Sequence, residues 1–378
     1  MPGHLRAVML LALRLGFTAF GGPAAHIAML RHETVERFQW LSNQRFLDLM
    51  GVTNLIPGPN STEMVMHIGR ERAGWKGLIA AGSAFILPAA AITLGFAWLY
   101  VRYGATSIGE SMLEGIKPVT LAVILQAVWS LGRTSAKSLM LVAVSVLVAA
   151  LYLLGINELV LLFGGAAMAF VVHRVRSTPG AMSFLGPGML GSATTWLVTT
   201  DPAVPYNSHR LFLGFLKIGG LLYGSGYVLV AFVENEFVER LGWISQQQLL
   251  DAVAVGQFTP GPVFTTATFV GYLTGGLSGA VIATVAIFLP GFVFVAIAHR
   301  WIDRLLEIGW VRPLLDGINA AAIGLMAGVA MVLAREAVTG AWTATIGVVA
   351  LFLLIRVKFN SALLIIGGGL LGVAAQAL

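Results

Sequence analysis

Long stretches without a charged residue constrain the fold of this chain more than any other feature. Residues 77–100, 139–155 and 343–355 contain no Asp, Glu, Lys or Arg. Only 11% of the 378 residues are charged, whereas soluble globular domains carry about 25%. Apolar runs bracketed by a few charges are typical of helices that cross a bilayer. The sequence therefore predicts an all-α polytopic membrane protein.

Two Pro-Gly-Pro turns interrupt this apolar sequence, at Pro57-Gly58-Pro59 and at Pro260-Gly261-Pro262. Proline lacks a backbone N–H and pushes the preceding residue toward extended geometry, while glycine permits a sharp turn. Each turn thus predicts that one helix ends and another begins within an apolar layer. A helix N-terminus presents free N–H groups and a partial positive charge, so both turns are candidate anion sites.

The second turn belongs to an internal repeat. Residues 13–62 align without a gap with residues 216–265, and 18 of the 50 aligned pairs are identical. Further matches extend the repeat over nearly both halves of the chain. We therefore predict a first repeat at 1–176, a linker at 177–208 and a second repeat at 209–378.

Each repeat is predicted to contain five spans. They cover 5–30, 77–101, 112–131, 139–154 and 159–172 in the first copy, and 211–233, 279–297, 313–333, 343–355 and 363–376 in the second. The segments beside each Pro-Gly-Pro turn are too short to cross a bilayer of about 30 Å, so they predict a re-entrant helical hairpin with its turn near the midplane. An odd number of spans inverts the second copy relative to the first, as in many secondary transporters.

Charge placement between the first two spans favours this inversion. The second copy retains the equivalents of Glu33, Glu36 and Asp48 but loses five of six basic residues, including Arg45 and Arg70. Basic residues concentrate in cytoplasmic loops. We therefore predict about ten transmembrane helices in two inverted five-span repeats, with both termini outside the cell.

Arg14 and Lys217 occupy equivalent positions in the first span of each copy. A cation within a span is costly and usually faces a cavity or a partner. Two such cations match a dianionic substrate. The alternative is that each side chain extends to the nearer membrane interface.

The remaining candidate residues lie at glycine-rich or polar positions beside the helix breaks. Glycine-rich positions allow close approach to a ligand, although close helix packing explains them equally well. The hydroxyl and amide groups could bind substrate or cap helices. His26 is interpreted as a lone polar residue. Glu63 could have a proton or coupling role, or could simply suit the start of a helix. The substrate-binding candidates are Arg14, Phe20, Gly21, Gly22, Pro57, Gly58, Pro59, Asn60, Ser61, Thr62, Lys217, Gly224, Ser225, Pro260, Gly261, Pro262, Thr265 and Thr266.

Composition also argues against other classes of protein. The chain has no cysteine, and its seven histidines show no metal-binding spacing, so we expect no cofactor and no metal site. An intramembrane enzyme would need a nucleophile–base pair or metal ligands at depth, and none is evident. The formal charge of +6 fits an excess of basic residues in cytoplasmic loops better than nucleic-acid binding.

The chain resembles the CHR superfamily of chromate ion transporters. The resemblance rests on Phe20-Gly21-Gly22-Pro23 with His26, on residues 57–63 with Gly69 and Gly77, on residues 85–88, and on the degenerate second copy at 259–262. It covers nearly the whole chain, as in a long-chain, two-domain member. It implies efflux of chromate across the plasma (inner) membrane of a prokaryote and chromate resistance, with recognition of sulfate as a related dianion.

The sequence leaves three alternatives open. A passive anion channel and a transporter of another oxyanion would both fit the same features. The expected partners are a chromate- or sulfate-like dianion and the lipid bilayer, without nucleic acid, and a homodimer remains an alternative to a monomer.

Overall fold

The computed structural model describes residues 2–19, 22–135, 138–177, 205–222, 228–300 and 311–376, in which all regular secondary structure is helical. The first half contains α1 (Pro2–Thr18), α2 (Gly22–Arg31), α3 (Asn43–Thr53), α4 (Asn60–Tyr103), α5 (Ser107–Ser135), α6 (Leu139–Leu153) and α7 (Glu158–Ser177). The second contains α8 (Ser208–Leu221), α9 (Leu229–Val233), α10 (Gln246–Phe258), α11 (Thr266–Ala298), α12 (Val311–Ala337), α13 (Ala341–Phe352) and α14 (Ser361–Gln376).

Short segments of other helical types complete both halves. One π-helical segment follows α2 at His32–Arg37, and another follows α9 at Glu234–Arg240. A 3₁₀ turn at Val263–Thr265 leads into α11, and a π-helical segment at Leu353–Val357 extends α13. The order of elements in the second half thus follows that of the first. Most of the predicted linker, residues 178–204, lies outside the described residues.

The first predicted span of each copy is not one continuous helix, so that part of the prediction is wrong. The interval 5–30 is divided between α1, which ends at Thr18, and α2, which begins at Gly22. Its counterpart at 211–233 is divided between α8, which ends at Leu221, and α9, which begins at Leu229. The physical reason lies in the backbone partners at these breaks, described with the candidate site below.

The chain is also non-helical at both Pro-Gly-Pro turns. α3 ends at Thr53 and α4 begins at Asn60. In the second half, α10 ends at Phe258, and the 3₁₀ turn begins at Val263. Both glycines have positive φ, 141° at Gly58 and 89° at Gly261. Side chains rarely adopt this region, which accounts for glycine at the centre of each turn.

Each helix that follows a turn soon reverses direction. In α4 the reversal is at Ala73 (φ −141°, ψ 21°) and Gly74 (φ 61°, ψ −148°). In α11 it is at Gly275 (φ −140°, ψ 20°) and Gly276 (φ 61°, ψ −149°). The nearly identical dihedral angles show that the two halves use the same local structure. The segments on either side of each reversal pack closely against one another through glycine pairs, Gly69 with Gly77 and Gly271 with Gly279.

Four helices in the described part of the chain are long and apolar enough to cross a membrane: Asn60–Tyr103, Ser107–Arg133, Val263–Ala298 and Leu314–Ala337. Large apolar side chains on two of these helices are exposed, including Ile79 and Leu87 of α4 and Val281 and Leu289 of α11. Contiguous exposure of this kind marks a surface that contacts lipid or protein. The fold is therefore that of a membrane-embedded helical protein, in which α4 and α11 pack against each other across the two halves.

Candidate functional site

The two Pro-Gly-Pro turns are joined to the opposite halves of the chain by backbone hydrogen bonds. The Gly58 N–H donates to the Leu222 carbonyl at the end of α8 (N···O 2.7 Å). The Gly261 N–H donates to the Ala19 carbonyl at the end of α1 (N···O 2.9 Å). Leu222 and Ala19 are equivalent in the repeat, as are the two glycines. Each turn therefore donates a hydrogen bond to a backbone carbonyl at the break in the first predicted span of the other half.

The close approach at each turn leaves no room for a side chain. A Cβ on Gly58 would collide with the Glu63 carboxylate. A Cβ on Gly261 would lie 2.7 Å from the Ala89 methyl group of α4. At the repeat position equivalent to Ala89, Gly291 of α11 lies beside Pro59 and Glu63. Each turn thus packs against the long helix of the opposite half.

The N-terminus of α4 retains free donors at the first turn. The N–H groups of Thr62 and Glu63 both donate to the Pro59 carbonyl. The first N–H groups of a helix have no partner within the helix, and in α4 these include the N–H groups of Asn60 and Ser61. The glycine N–H itself is already occupied by Leu222. Any anion at this turn would therefore be bound by α4 and not by the turn glycine.

The polar side chains that follow the first turn do not cap α4, so the N-capping interpretation is wrong for them. The N-cap is Pro59, which provides no side-chain hydrogen bond. Asn60 donates instead to the Asn54 amide oxygen at 2.7 Å. The Thr62 hydroxyl and both oxygens of Glu63 are buried and have no hydrogen-bond partner among the described residues. Buried polar atoms in a native protein normally have partners, so these unsatisfied groups mark a candidate binding site.

His26 connects the two turns, a role that its interpretation as a lone polar residue missed. Its Nε2 lies 2.9 Å from the Ala19 carbonyl oxygen, and its Nδ1 lies 3.2 Å from the Ser61 hydroxyl. Since a carbonyl can only accept, Nε2 carries the proton and the Ser61 hydroxyl donates to Nδ1 of the neutral ring. The same Ala19 carbonyl accepts from Gly261. The resemblance to a known family was the one sequence signal that singled out His26.

Threonines surround the second turn. The Thr93 hydroxyl of α4 donates to the Thr265 hydroxyl at 3.2 Å. Thr265 and Thr266 donate in turn to the backbone carbonyls of Pro262 and Val263, at 3.0 and 2.8 Å. All three threonines are buried. Their hydroxyl groups are satisfied within the protein, unlike that of Thr62 at the first turn.

Arg14 lies in an ion pair at some distance along α1 from the break. It contacts Glu33, which also accepts from Arg37 at 3.1 Å. Burial of Glu33 raises its pKa, but the hydrogen bonds and charges of Arg14 and Arg37 outweigh burial and hold that pKa below its ordinary value. Arg14 also lines a cavity of about 450 Å³ with Thr18 and His32.

Lys217 repeats this arrangement in the second half. It contacts Glu236, which also accepts from Arg240, and its Nζ lies 4.0 Å from the buried Glu158. Burial raises the pKa of Glu236, but its hydrogen bonds to Arg240 and Lys217 bring the net pKa below the ordinary value. Both predicted cations therefore have carboxylate partners at equivalent repeat positions.

Some of the candidate residues predicted from the sequence lie outside the described residues. Phe20, Gly21, Gly224 and Ser225 lie outside the described residues. Gly22 is located as the first residue of α2. The described structure thus brings together the residues of the two turns and does not join Arg14 or Lys217 to them.

Fold and site together define a class: a helical membrane protein whose two halves meet around interrupted helices. A family model described as "Chromate transporter" matches residues 6–170 and again residues 209–373. The chain belongs to the chromate transporter family. The resemblance noted from its sequence motifs is confirmed.

Proteins described as chromate transport proteins align with this chain over almost their whole length. A "Chromate transport protein" of Cupriavidus metallidurans is 30% identical over 388 residues, which cover 99% of this chain and 94% of that protein. One of Pseudomonas aeruginosa is 31% identical and covers 95% of this chain and 90% of its own length. A "Probable chromate transport protein" of Synechococcus elongatus is 29% identical, with coverage of 90% and 87%. No solved structure matches the chain.

Proposed function

We propose that this chain carries chromate across the cytoplasmic membrane of a prokaryote and that it works as an exporter. Membership of the chromate transporter family supports the substrate. The observation that carries the proposal is the reciprocal pairing of the two Pro-Gly-Pro turns with the opposite halves. A substrate bound there lies where the halves meet, so a relative movement of the halves can change its access from one side of the membrane to the other.

The proposed topology is two inverted five-span repeats with both termini outside. Each Pro-Gly-Pro turn is the tip of a re-entrant hairpin near the midplane. Irregular backbone is tolerated at that depth only inside protein or against a water-filled cavity. Gly58 and Gly261 are buried, and each is hydrogen-bonded to the opposite half, which supports the placement.

The proposed substrate site is the pair of turns with the polar residues that follow them. At the first turn, the free N–H groups of Asn60 and Ser61 and the unpartnered Thr62 hydroxyl are the donors for a tetrahedral dianion such as chromate or sulfate. Such groups stabilise an anion through the partial positive charge of the helix N-terminus. Arg14 and Lys217 add to the positive potential from their ion-paired positions.

Glu63 is proposed to couple proton binding to this site. Its carboxylate is fully buried beside the turn and has no partner among the described residues. The negative charge of an ionised Glu63 would repel the dianion. Ionising a buried, unpaired carboxylate also costs several kcal/mol. Proton binding at Glu63 removes this repulsion, so anion and proton occupancy are expected to favour one another.

The membrane potential favours export. In a cell that is negative inside, a dianion moving outward gains about 4–5 kcal/mol per 100 mV, since one charge is worth about 2.3 kcal/mol. Export can therefore run on the potential, and a proton bound at Glu63 would modulate it.

Transport by the purified chain in proteoliposomes tests the proposal. We expect chromate uptake that responds to an imposed potential and is inhibited by sulfate. Acceleration by chromate on the far side would identify a carrier, whereas single-channel currents would identify the passive channel. Failure to move chromate under any imposed gradient would contradict the proposed function.

A further inference from the structure

A second charged cluster lies where the reversal in α4 meets the end of α11. His67 Nδ1 lies 3.1 Å from His299 Nδ1, and the two rings stack with centroids 5.4 Å apart. His67 belongs to the first half and is fully buried, while His299 directly follows α11 of the second half. This contact brings together the charged residues next to each histidine in sequence. The cluster, termed the cationic junction, comprises Arg45, His67, Arg70, Glu71, His299 and Arg300.

The cationic junction has more positive charge than its carboxylate can balance. Glu71 pairs with Arg45, whose Nε lies 2.9 Å from Glu71 Oε1, and the same oxygen lies 3.8 Å from His299 Nε2. No carboxylate pairs with Arg70 or Arg300 in the described part of the chain. The charges of Arg70 and Arg300 are near enough to act on one another. With neutral histidines, three arginines and one glutamate leave a formal charge of +2.

Two polar nitrogen atoms of the junction are buried and have no hydrogen-bond partner in the described part of the chain. The Arg70 guanidinium lies on the Trp75 ring, 3.6 Å from its centroid, and this stacking fixes its plane. Within the described ranges, its Nη1 is buried and has no hydrogen-bond partner, and the same is true of Nε2 of the fully buried His67. Leaving such atoms unpaired costs free energy comparable to a lost hydrogen bond. A planar guanidinium held by stacking presents its free edge in the geometry that tetrahedral oxyanions accept.

We propose that the cationic junction is a second binding site for the transported oxyanion, a dianion such as chromate or sulfate. The proposal rests on the proposed function for the identity of its ligand. Ten residues of α4 separate Asn60 at the first turn from Arg70, which at 1.5 Å per residue is about 15 Å. The junction therefore lies at the far end of the half-helix that begins at the turn, where an anion can bind before or after it occupies the turns.

The repeat-related positions do not form a second junction, which gives the protein two unequal faces. In the second copy, the positions of Arg45, His67 and Arg70 are occupied by Gln248, Val270 and Leu273. In the proposed topology the junction faces the cytoplasm. Basic groups raise the local concentration of anions, and salt screens this effect. The apparent affinity for chromate should accordingly be higher from the junction side, and only that side should depend strongly on salt.

The double variant Arg70→Gln/Arg300→Gln tests this expectation in proteoliposomes of known orientation. At low salt we expect its KM for chromate from the junction side to rise roughly tenfold, the scale for lost hydrogen bonds to charged groups. The maximal rate and the KM from the opposite side should stay near wild type. Arg102→Gln is the matched control, because Arg102 also lies in α4 and stacks on a tryptophan, Trp98. An unchanged KM and salt dependence in the double variant would overturn the proposal.

A thiol-labelling experiment measures anion binding at the junction independently of transport. The chain has no cysteine, so Lys76→Cys beside the junction and Ser278→Cys at the equivalent exposed position of the second copy can be compared directly. Sulfate should slow reaction of the first cysteine with an anionic thiol reagent and leave the second unaffected. This protection should disappear in the double variant and persist in part with Arg70→Lys, which keeps the charge. If sulfate does not protect the cysteine in the wild-type background, the junction site is contradicted even when chromate transport is observed. Protection without chromate transport would contradict only the proposed substrate.

Discussion

At the scale of single residues, Gly58 and Gly261 are the positions least able to accept a side chain. We expect Gly58→Ala and Gly261→Ala to lower chromate affinity, because a methyl group collides with Glu63 at the first turn and with Ala89 at the second. Affinity measured on the purified, folded variants checks this. Gly242→Ala is the control, since Gly242 also has positive φ (63°) but open space around its Cα. Equal losses at all three positions would attribute the effect to backbone strain and not to the site.

Thr62 tests whether the first turn contacts the anion directly. Thr62→Val keeps the shape and removes a buried hydroxyl for which the described structure shows no partner. If that hydroxyl donates to the substrate, the change should weaken chromate binding by about 1–3 kcal/mol. Thr120→Val is the matched control, because the Thr120 hydroxyl is buried but donates to the Ile116 carbonyl within α5. Unaltered affinity in Thr62→Val would exclude that contact.

His26 is predicted to stabilise the folded protein. His26→Leu introduces the residue found at the equivalent position, Leu229, and removes the hydrogen bonds to Ala19 and Ser61. Leaving the buried Ser61 hydroxyl unpaired should cost about 1–3 kcal/mol and lower the melting temperature. Ser61→Ala removes the hydroxyl together with its bond and should lower it less. A melting temperature equal to wild type in His26→Leu would show that the bridge contributes nothing.

At the scale of elements, the sequence predicts helix breaks where the chemistry of proline and glycine enforces them. The interruptions beside Gly58 and Gly261 follow from the local sequence alone. The break after Thr18 was missed because residues 5–30 are largely apolar, and hydropathy does not register how backbone groups are paired. The free carbonyl of Ala19 is satisfied by Gly261, more than 200 residues away, and by His26. Only the three-dimensional structure reveals such long-range partners.

The positions of the two charged residues in the first spans could be predicted from the sequence, but their partners could not. The repeat marked Arg14 and Lys217 as equivalent, but an ion pair with a later element cannot be read from hydropathy. Glu33 and its equivalent Glu236 are retained in both copies of the sequence, and the structure pairs them with Arg14 and Lys217. The proposed substrate role of the two cations therefore has to be separated by experiment from a role in joining elements.

Arg14→Gln and Lys217→Gln should each reduce transport without preventing membrane insertion. The reason is the loss of positive potential near the substrate path, and initial rates in proteoliposomes measure it. The double variant Arg14→Gln/Glu33→Gln separates the two roles. If Arg14 acts on the substrate, transport stays low in the double variant, whereas recovery toward wild type would indicate that the ion pair serves the fold alone.

At the scale of the whole molecule, the proposed inverted topology predicts that equivalent surface positions face opposite sides of the membrane. Ser42 and Ser245 are exposed N-caps of α3 and α10 at equivalent repeat positions, so they form a matched pair. In intact cells, an impermeant thiol reagent should label Ser245→Cys and should reach Ser42→Cys only after permeabilisation. Labelling of both from the outside would contradict the inverted repeat.

The reciprocal hydrogen bonds have a mechanical consequence. Because each Pro-Gly-Pro turn is hydrogen-bonded to the end of the first helix of the other half, neither turn can be displaced without breaking that bond or moving that helix. In the proposed transport cycle, a movement of either half therefore carries with it the turn that is bonded to it, so the two turns move as a linked pair.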